Sequence, residues 1–156
     1  GTNIDIVAGW YDDNFLKTRG CTALKLDDDP ICCALSINHR LAFRDSLKIS
    51  DLRGERVMLI KRGWNRYTDA IRDELWTEHA DIDIKDVQFF NLDAFNQCES
   101  NNCVMFGFKK WENVHPLLKF VQIEWEYTIP FGIFHSKKPS SHVNEFLKAV
   151  SKVYGA

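Results

Sequence analysis

The stretch Ile129-Pro-Phe-Gly-Ile-Phe-His135 has the length and apolar content of a short strand, and it opens the most informative part of the chain. The polar segment Ser136-Lys-Lys-Pro-Ser-Ser141 follows, and its last serines are typical helix caps. A helix then runs to about Tyr154, with one apolar face made of Val143, Phe146, Leu147, Val150 and Val153. We expect this face to lie in the core.

Strand and helix signals alternate along the rest of the chain. Strands are predicted at Asn3 to Ala8, Thr22 to Leu26, Ile31 to Ile37, Arg56 to Lys61, Asp86 to Phe90, Cys103 to Phe108 and Leu118 to Ile123. Helices are predicted at Asn65 to His79 and Asn91 to Glu99, and a turn at Asp27-Asp-Asp-Pro30. This alternation indicates an α/β protein with a largely parallel sheet, in which ligands bind at the carboxyl ends of the strands.

The composition is that of an ordinary soluble globular protein. The 156 residues include 20 basic and 22 acidic side chains, which give a net charge of -2. This balance gives no electrostatic footprint for nucleic acid. No apolar run approaches the ~18 residues that span a bilayer, and the first residues lack the features of a signal peptide. We therefore expect a cytoplasmic protein with no membrane contact.

Motifs that bind metals or carry out catalysis are missing. Five cysteines are present, and Cys98-x4-Cys103 is the spacing that suggests a metal, but no second close pair of Cys or His accompanies it. Reduced thiols are the favoured interpretation, with a metal or redox site as the alternative. No nucleophile elbow, phosphate loop or dinucleotide fingerprint occurs. We expect no catalytic residue, metal or cofactor, and no enzyme activity.

Four segments in order along the chain resemble one known family. They are Ile4-Asp-Ile-Val-Ala-Gly9, Ile31-Cys-Cys-Ala-Leu-Ser-Ile-Asn-His-Arg-Leu-Ala42, Ser50-Asp-Leu-Arg-Gly-Glu55 with the strand after it, and Phe131-Gly-Ile-Phe-His-Ser-Lys-Lys-Pro139 with the final helix. Together they resemble the effector-binding domain of LysR-type transcriptional regulators. Arg40 replaces the proline usual in that pattern, and the polar stretch from Glu99 to Gly107 replaces its small residues.

The resemblance implies a type 2 periplasmic-binding-protein-like fold, with two Rossmann-like lobes joined by crossing strands. Lobe I would comprise about residues 1–30 and 124–156, and lobe II about residues 31–123. The family's N-terminal winged helix-turn-helix and the first part of its effector domain have no counterpart in this sequence, so lobe I is expected to be incomplete. Gly1 would then lie in the middle of a domain of a longer polypeptide.

The resemblance also places a ligand in the cleft between the lobes. The loop from Lys61 to Tyr67 enters a helix N-terminus, where unpaired N–H groups and arginines suit a carboxylate. The ligand contacts predicted there and after other strands are Gly63, Trp64, Asn65, Arg66, Gly9, Trp10, Tyr11, Asn91, Asp93 and Phe106. A solvated loop at Trp64, core packing at Trp10 and Phe106, and a plain N-cap at Asn91 are the structural alternatives.

The implied function is ligand sensing. A small-molecule effector, anionic or aromatic, would shift the balance between two states of the domain and so control DNA binding by the absent winged helix domain. The resemblance further implies a homo-oligomer, dimer or tetramer, with DNA contacted only through that absent domain. The alternative is a solute-binding protein of a transporter with the same fold, and an enzyme or a structural interaction domain is a third possibility.

Overall fold

A computed structural model describes residues 6–155, in which the chain forms two compact units. Unit 1 comprises Gly1–Asp29 and Ile129–Ala156, and unit 2 comprises Pro30–Thr128. The chain thus leaves unit 1 once and returns to it once. The elements in chain order are β1 (Ile6–Trp10), α1 (Asp13–Arg19), β2 (Cys21–Ser36), β3 (Ser46–Leu47), β4 (Arg56–Ile60), α2 (Arg66–Glu78), β5 (Asp83–Val87), α3 (Leu92–Ser100), β6 (Val104–Phe108), β7 (Leu118–Ile123), β8 (Thr128–Ser136) and α4 (Ser141–Tyr154).

The described strands of unit 1 are ordered β1-β8-β2. β1 and β8 pair antiparallel, with Gly9 opposite Gly132. A Cβ on Gly132 would overlap the carbonyl oxygen of Leu24, so glycine at this position permits a close backbone approach to β2. Asp12 is the N-cap of α1, and its carboxylate accepts the N–H of Phe15. The helix ends at a left-handed residue, as the Gly at its C-cap allows.

Unit 2 contains parallel strand pairs, but the prediction of a largely parallel sheet is wrong, because the described strands pair both ways. Its strands are ordered β2-β6-β4-β5, and β4 pairs parallel with both β5 and β6. β2 pairs antiparallel with β6 and with β7, and β7 pairs parallel with the short β3. All of β6 and four of the five residues of β4 are buried. Such continuous apolar strands are what a sheet covered on both faces requires.

The α/β prediction is confirmed, and most predicted elements lie where expected. Asn3 to Asp5 of the first predicted strand lie outside the described residues. The turn predicted at Asp27 to Pro30 is wrong, because β2 continues through it as one strand. Partners distant in sequence hold this segment extended, since β2 pairs with β8 and Asp29 accepts the indole N–H of Trp10.

The helix predicted at the C-terminus exists, but its apolar face is largely exposed. Ser140 caps α4, and Val143 is its one buried residue. Phe146 is 46% exposed and Val153 is 80% exposed. The expectation that this whole face is core is therefore wrong among the described residues. The apolar spacing correctly predicted the helix, whereas burial depends on what lies against it.

None of the described helices is both long enough and apolar enough to cross a membrane.

Candidate ligand-binding site

The loop between β4 and α2 carries three of the predicted ligand contacts, Gly63, Trp64 and Asn65, and the fourth, Arg66, is the first residue of α2. The loop leaves the carboxyl end of β4 at Ile60 and turns at Gly63, whose φ of 94° is one that glycine adopts most readily. Trp64 donates its backbone N–H to the carbonyl of Lys61, which closes the turn. α2 then begins at Arg66. The loop therefore lies at the strand ends where open α/β sheets bind ligands.

Asn65 is the N-cap of α2. Its Oδ1 accepts the N–H groups of Tyr67 at 2.9 Å and of Thr68 at 2.8 Å. The residue is only 4% exposed, and its Nδ2 is buried without a hydrogen-bond partner among the described residues. A buried donor left unpaired costs free energy. Asn65 is therefore a strong cap with one unused donor.

The helix N-terminus is less open to an anion than the sequence suggests. Besides the two N–H groups that Asn65 accepts, the N–H of Gly63 is bound by the carboxylate of Asp69, at 3.0 Å from Oδ1. The expectation that these backbone donors are unpaired is wrong, because residues of the same loop and first helical turn accept them. The negative carboxylate of Asp69 also lies in the first turn of α2, where it interacts favourably with the positive end of the helix dipole.

An aromatic cluster lies behind this loop. The indole of Trp64 stacks on Phe108, with ring centroids 6.0 Å apart and planes at 25°, and meets Phe90 edge-on at 5.2 Å. Trp111 contacts both phenylalanines, at 4.5 Å from Phe108 and 4.7 Å from Phe90. Phe108 is fully buried, whereas Trp64 is 41% exposed. We call Trp64, Phe90, Phe108 and Trp111 the aromatic cluster, and Trp64 is its exposed member.

Three basic residues lie close to Trp64 in the sequence, two in the loop and one at the first position of α2. Arg62 forms an ion pair with Asp73 at 2.5 Å, and this hydrogen bond raises the pKa of the guanidinium. Lys61 places its Nζ 5.6 Å from the ring centre of Phe89, and Arg66 lies over the ring of Tyr67 at 4.9 Å. Both are cation–π contacts. The loop and the first position of α2 therefore carry positive charge close in sequence to Trp64.

Asn91 and Asp93 line a separate cavity of about 250 Å³ at the start of α3. Asn91 is the N-cap, since its Oδ1 accepts the N–H of Ala94 at 2.9 Å. Asp93 accepts from the side chain of Gln97 at 2.9 Å. The predicted wall residue Phe106 is buried, and its ring meets Trp125 at 5.2 Å. Each of these residues has a structural role of its own, and their ligand role stays a prediction.

The predicted contacts of unit 1 lie at the end of β1. Gly9 is buried in the strand. Trp10 donates its indole N–H to Asp29 at 2.8 Å, and its ring lies 5.1 Å from that of Phe131. Tyr11 meets Phe134 edge-on at 5.7 Å. These contacts orient both aromatic rings, and their role in ligand binding also stays a prediction.

The cysteines are free thiols, four of them buried. Burial raises the pKa of Cys98 to about 12, and its thiol donates to the carbonyl of Cys103 at 3.3 Å. Burial also raises the pKa of Cys33 well above its ordinary value. Within residues 6–155, no group of three or more His, Cys, Asp or Glu side chains could hold a metal ion. The raised pKa values keep the thiols of Cys33 and Cys98 in their neutral, unreactive form at physiological pH.

Three members of the aromatic cluster were not among the predicted site residues. Phe90, Phe108 and Trp111 all follow or end a strand of the parallel sheet, after β5 and at the end of β6. Their positions in the sequence carried a usable signal, because the carboxyl ends of neighbouring parallel strands lie at one edge. The predicted Trp64 joins them, so aromatic residues at three successive strand ends converge.

Comparison with known proteins gives matches at the level of structure. No protein-family model matches the sequence, and no curated protein matches it significantly. The regulatory domain of Synechocystis PCC6803 CcmR in complex with 2-PG matches with a TM-score of 0.72 and 13% identity, over 96% of this chain and 73% of that chain. The BenM effector binding domain with its effector benzoate matches with a TM-score of 0.68 and 14% identity, over 97% and 70%.

CbnR, a LysR family transcriptional regulator, matches with a TM-score of 0.75 and 15% identity. That match covers 97% of this chain and 53% of the CbnR chain, so this chain spans about half of that regulator. Identities this low establish the fold and leave the activity open. The chain has the type 2 periplasmic-binding-protein-like fold of the effector-binding domains of LysR-family regulators.

Proposed function

We propose that this chain is a ligand-sensing regulatory domain of a LysR-type transcriptional regulator, and that it performs no catalysis. The observation that carries the proposal is the aromatic cluster at the carboxyl ends of the parallel strands, in a fold whose matched relatives hold small-molecule effectors. A planar group would stack on the exposed part of Trp64, which Phe108 and Phe90 hold in place. We therefore assign Trp64 as the principal ligand contact.

The basic side chains near Trp64 in the sequence indicate a second feature of the expected ligand, a negatively charged group. Lys61 and Arg66 are basic residues that flank Trp64 in the sequence, and the backbone N–H groups of Gly63, Tyr67 and Thr68 are already engaged. Side chains therefore supply most of the recognition of a negative group. An aromatic ring that bears a carboxylate fits both features, and benzoate, the effector in the BenM structure, is the simplest such compound.

Regulation would follow from different ligand affinities of two states. A ligand shifts an equilibrium only by its difference in affinity between the states, so the effector must bind one arrangement of the domain better. The readout would be DNA binding by a winged helix domain outside this sequence, in a homo-oligomer located in the cytoplasm. The LysR-family neighbour CbnR, which has also been solved with its target DNA, supports this assignment.

Differential scanning fluorimetry with a panel of ligands tests the proposal. The panel contains benzoate, hydroxybenzoates, and aliphatic mono- and dicarboxylates, each at millimolar concentration. A ligand at 100 times its Kd stabilises the folded state by about 2.7 kcal/mol, which raises the Tm by several degrees. We expect aromatic carboxylates to raise the Tm more than aliphatic ones. An unchanged Tm with every compound contradicts the proposal.

A further inference from the structure

Unit 1 contains a cavity that is separate from the predicted ligand contacts. Its volume is about 490 Å³, within the range of about 300–1,000 Å³ that is typical of small-molecule sites. The lining comes from β1, α1, the start of β2 and the end of β8, and it includes Val7, Phe15, Arg19, Cys21, Phe134 and His135. All of these residues belong to unit 1, and none of them is a predicted ligand contact. The cavity is therefore a feature of unit 1 alone.

One wall of the cavity is aromatic, and its neighbours hold it in place. The ring of Phe134 lies 5.2 Å from that of Phe15 and meets that of Tyr11 edge-on at 5.7 Å. Gly9 leaves room for this ring, because a Cβ there would lie 3.2 Å from it. Val7 is the β1 residue opposite Phe134, and it adds an exposed aliphatic surface. The cavity therefore has a preformed apolar wall, which lowers the cost of binding an apolar ligand.

The end of α1 brings a cation next to this wall. The helix ends at Gly20, whose φ of 63° lets the chain turn directly into β2. Arg19 and Cys21 flank this glycine, and both line the cavity. The guanidinium carbon of Arg19 lies 5.1 Å from the ring centre of Phe15. A negative group bound to Arg19 would therefore lie close to an aromatic surface.

Arginine and lysine side chains give this part of unit 1 a positive charge. Arg19 lines the cavity, and Lys17 and Lys137 line a second cavity of about 490 Å³ that also includes Cys21. None of these three cations forms an ion pair with a carboxylate among the described residues. The one carboxylate in the described lining of the two cavities is that of Asp13. The whole chain carries a net charge of -2, so this positive excess is local, and it favours an anionic ligand.

We propose that the cavity of unit 1 is a second small-molecule site, which takes a molecule with an apolar ring system and one anionic group. The rings would pack on Phe15 and Phe134, and the anionic group would bind Arg19. A cavity of about 150 Å³ holds one benzene ring, so the volume in unit 1 admits a molecule of two fused rings. The proposal goes beyond the proposed function, because it involves no residue of the Trp64 loop.

The competing interpretation is a water-filled gap between α1 and the sheet. The contacts of Phe15 and Phe134 would then serve packing alone, and Arg19 would only cover the ring of Phe15. The two interpretations differ in two measurable properties. A binding site fills saturably, and its affinity depends on the charge of the ligand through Arg19, whereas a gap shows neither property.

The reactivity of Cys21 reports occupancy of the cavity, because this residue lines it and is the one partly exposed thiol of the five. The rate of its reaction with a disulfide reagent at pH 8 is measured in the wild-type chain at increasing concentrations of 2-naphthoate. We expect the rate to fall about fivefold or more and to reach a plateau, since a bound molecule excludes the reagent. A rate that stays unchanged up to millimolar 2-naphthoate overturns the proposal.

The charge of the ligand and of residue 19 provides the second measurement. Arg19→Gln should raise the Kd of 2-naphthoate about fivefold and should leave the Kd of the neutral 2-naphthylmethanol unchanged. Arg53→Gln is the matched control, because it makes the same change at an exposed arginine of unit 2, and it should leave both Kd values unchanged. Equal binding of 2-naphthoate by the wild type and Arg19→Gln overturns the assignment of the anionic group to Arg19.

Trp64→Ala separates this site from the proposed effector site. Trp64 belongs to unit 2, so this variant should show the same protection of Cys21 by 2-naphthoate as the wild type. Loss of that protection in Trp64→Ala would place the binding at the loop of unit 2 and overturn the proposal. A cavity that fails to bind 2-naphthoate leaves the expected contribution of Trp64 to effector binding untouched, so the two failures are distinguishable.

Discussion

The indole of Trp64 lies nearly parallel to the ring of Phe108, with centroids 6.0 Å apart and an angle of 25° between the planes. One ring is fully buried and the other is 41% exposed, so the core of unit 2 holds a surface tryptophan in a fixed orientation. A ligand that stacks on Trp64 would therefore find the ring already positioned. Preorganisation of this kind lowers the entropic cost of binding.

Replacing Trp64 should weaken effector binding more than it weakens the fold. We expect Trp64→Ala to lower the affinity for a stacked aromatic carboxylate about tenfold, because one aromatic contact contributes about 0.5–1.5 kcal/mol. The loss of folding stability should be about 1–2 kcal/mol, since the side chain is partly solvated. Isothermal titration calorimetry and urea unfolding measure the two effects. Trp64→Phe is the control and should retain most of the affinity, whereas equal binding by Trp64→Ala would contradict the assignment.

The N-cap of α2 should be sensitive to removal of the capping oxygen. Asn65→Ala deprives the N–H groups of Tyr67 and Thr68 of their acceptor and should cost about 1 kcal/mol of stability. Asn65→Ser keeps a capping oxygen and lacks the buried amide donor that has no partner among the described residues, so it should be close to the wild type. Urea unfolding of both variants gives the comparison. Equal destabilisation by alanine and serine would show that the cap is not what Asn65 contributes.

Gly132 should tolerate no side chain. A methyl group there would overlap the carbonyl oxygen of Leu24, and backbone on the neighbouring strand cannot move aside cheaply. We expect Gly132→Ala to destabilise the protein by about 3 kcal/mol or more. Gly107→Ala in β6 is the matched control, because its methyl group would meet side chains of Phe120 and Trp111 at 3.4 Å, an ordinary contact. Thermal unfolding of both variants tests this prediction. Similar Tm values would contradict the close approach of Gly132 to the backbone of Leu24.

The thiols should differ sharply in reactivity. Cys21 is partly exposed, whereas Cys32, Cys33, Cys98 and Cys103 are buried. We expect one of the five thiols to react rapidly with a disulfide reagent at pH 8 in the native protein, and all five to react after unfolding. Cys21→Ser should abolish the rapid phase. Two or more rapid phases in the wild type would show that the buried thiols are accessible.

Stability should fall at high pH. Burial holds the pKa of Cys98 at about 12 in the folded state, above its ordinary value of 9.0 in the unfolded chain. Between these two values the unfolded state loses a proton that the folded state keeps, so the stabilisation is complete below pH 9.0 and is lost as the pH rises towards 12. Urea unfolding from pH 8 to 11 measures how steeply the free energy of unfolding falls as the pH rises. Cys98→Ala should reduce this slope, and an unchanged slope would contradict its assignment to the raised pKa of Cys98.

Periodicity predicted most of the fold because it reports local structure. The run from Val57 to Ile60 and the apolar positions of α2 identified a buried strand and its helix correctly. The seven-residue α1 was not predicted, since so short a helix offers little periodicity and depends on its cap at Asp12. The strand through Asp27 to Pro30 was misread as a turn, because pairing partners distant in sequence decide its conformation.

The candidate site was predictable in position and less so in chemistry. The glycine turn and the helix start identified the loop of Trp64, since both are local signals. The carboxylate of Asp69, which occupies a backbone donor of that loop, lies six residues along the chain from Gly63 and was not anticipated. The places of Phe90, Phe108 and Trp111 at or after strand ends could be read from the sequence, but that these ends are neighbours depends on the strand order, which no local pattern contains.

The central claim is that the effector binds against Trp64, and its most direct test is a nuclear magnetic resonance titration of the 15N-labelled chain. The titrant is the compound that raises the Tm most in the fluorimetry panel. The account predicts that the indole N–H of Trp64 and the amides of Asn65 and Arg66 shift progressively to saturation, while the indole N–H of Trp76 stays unchanged. Saturable shifts that leave Trp64 and its neighbours unmoved would contradict it.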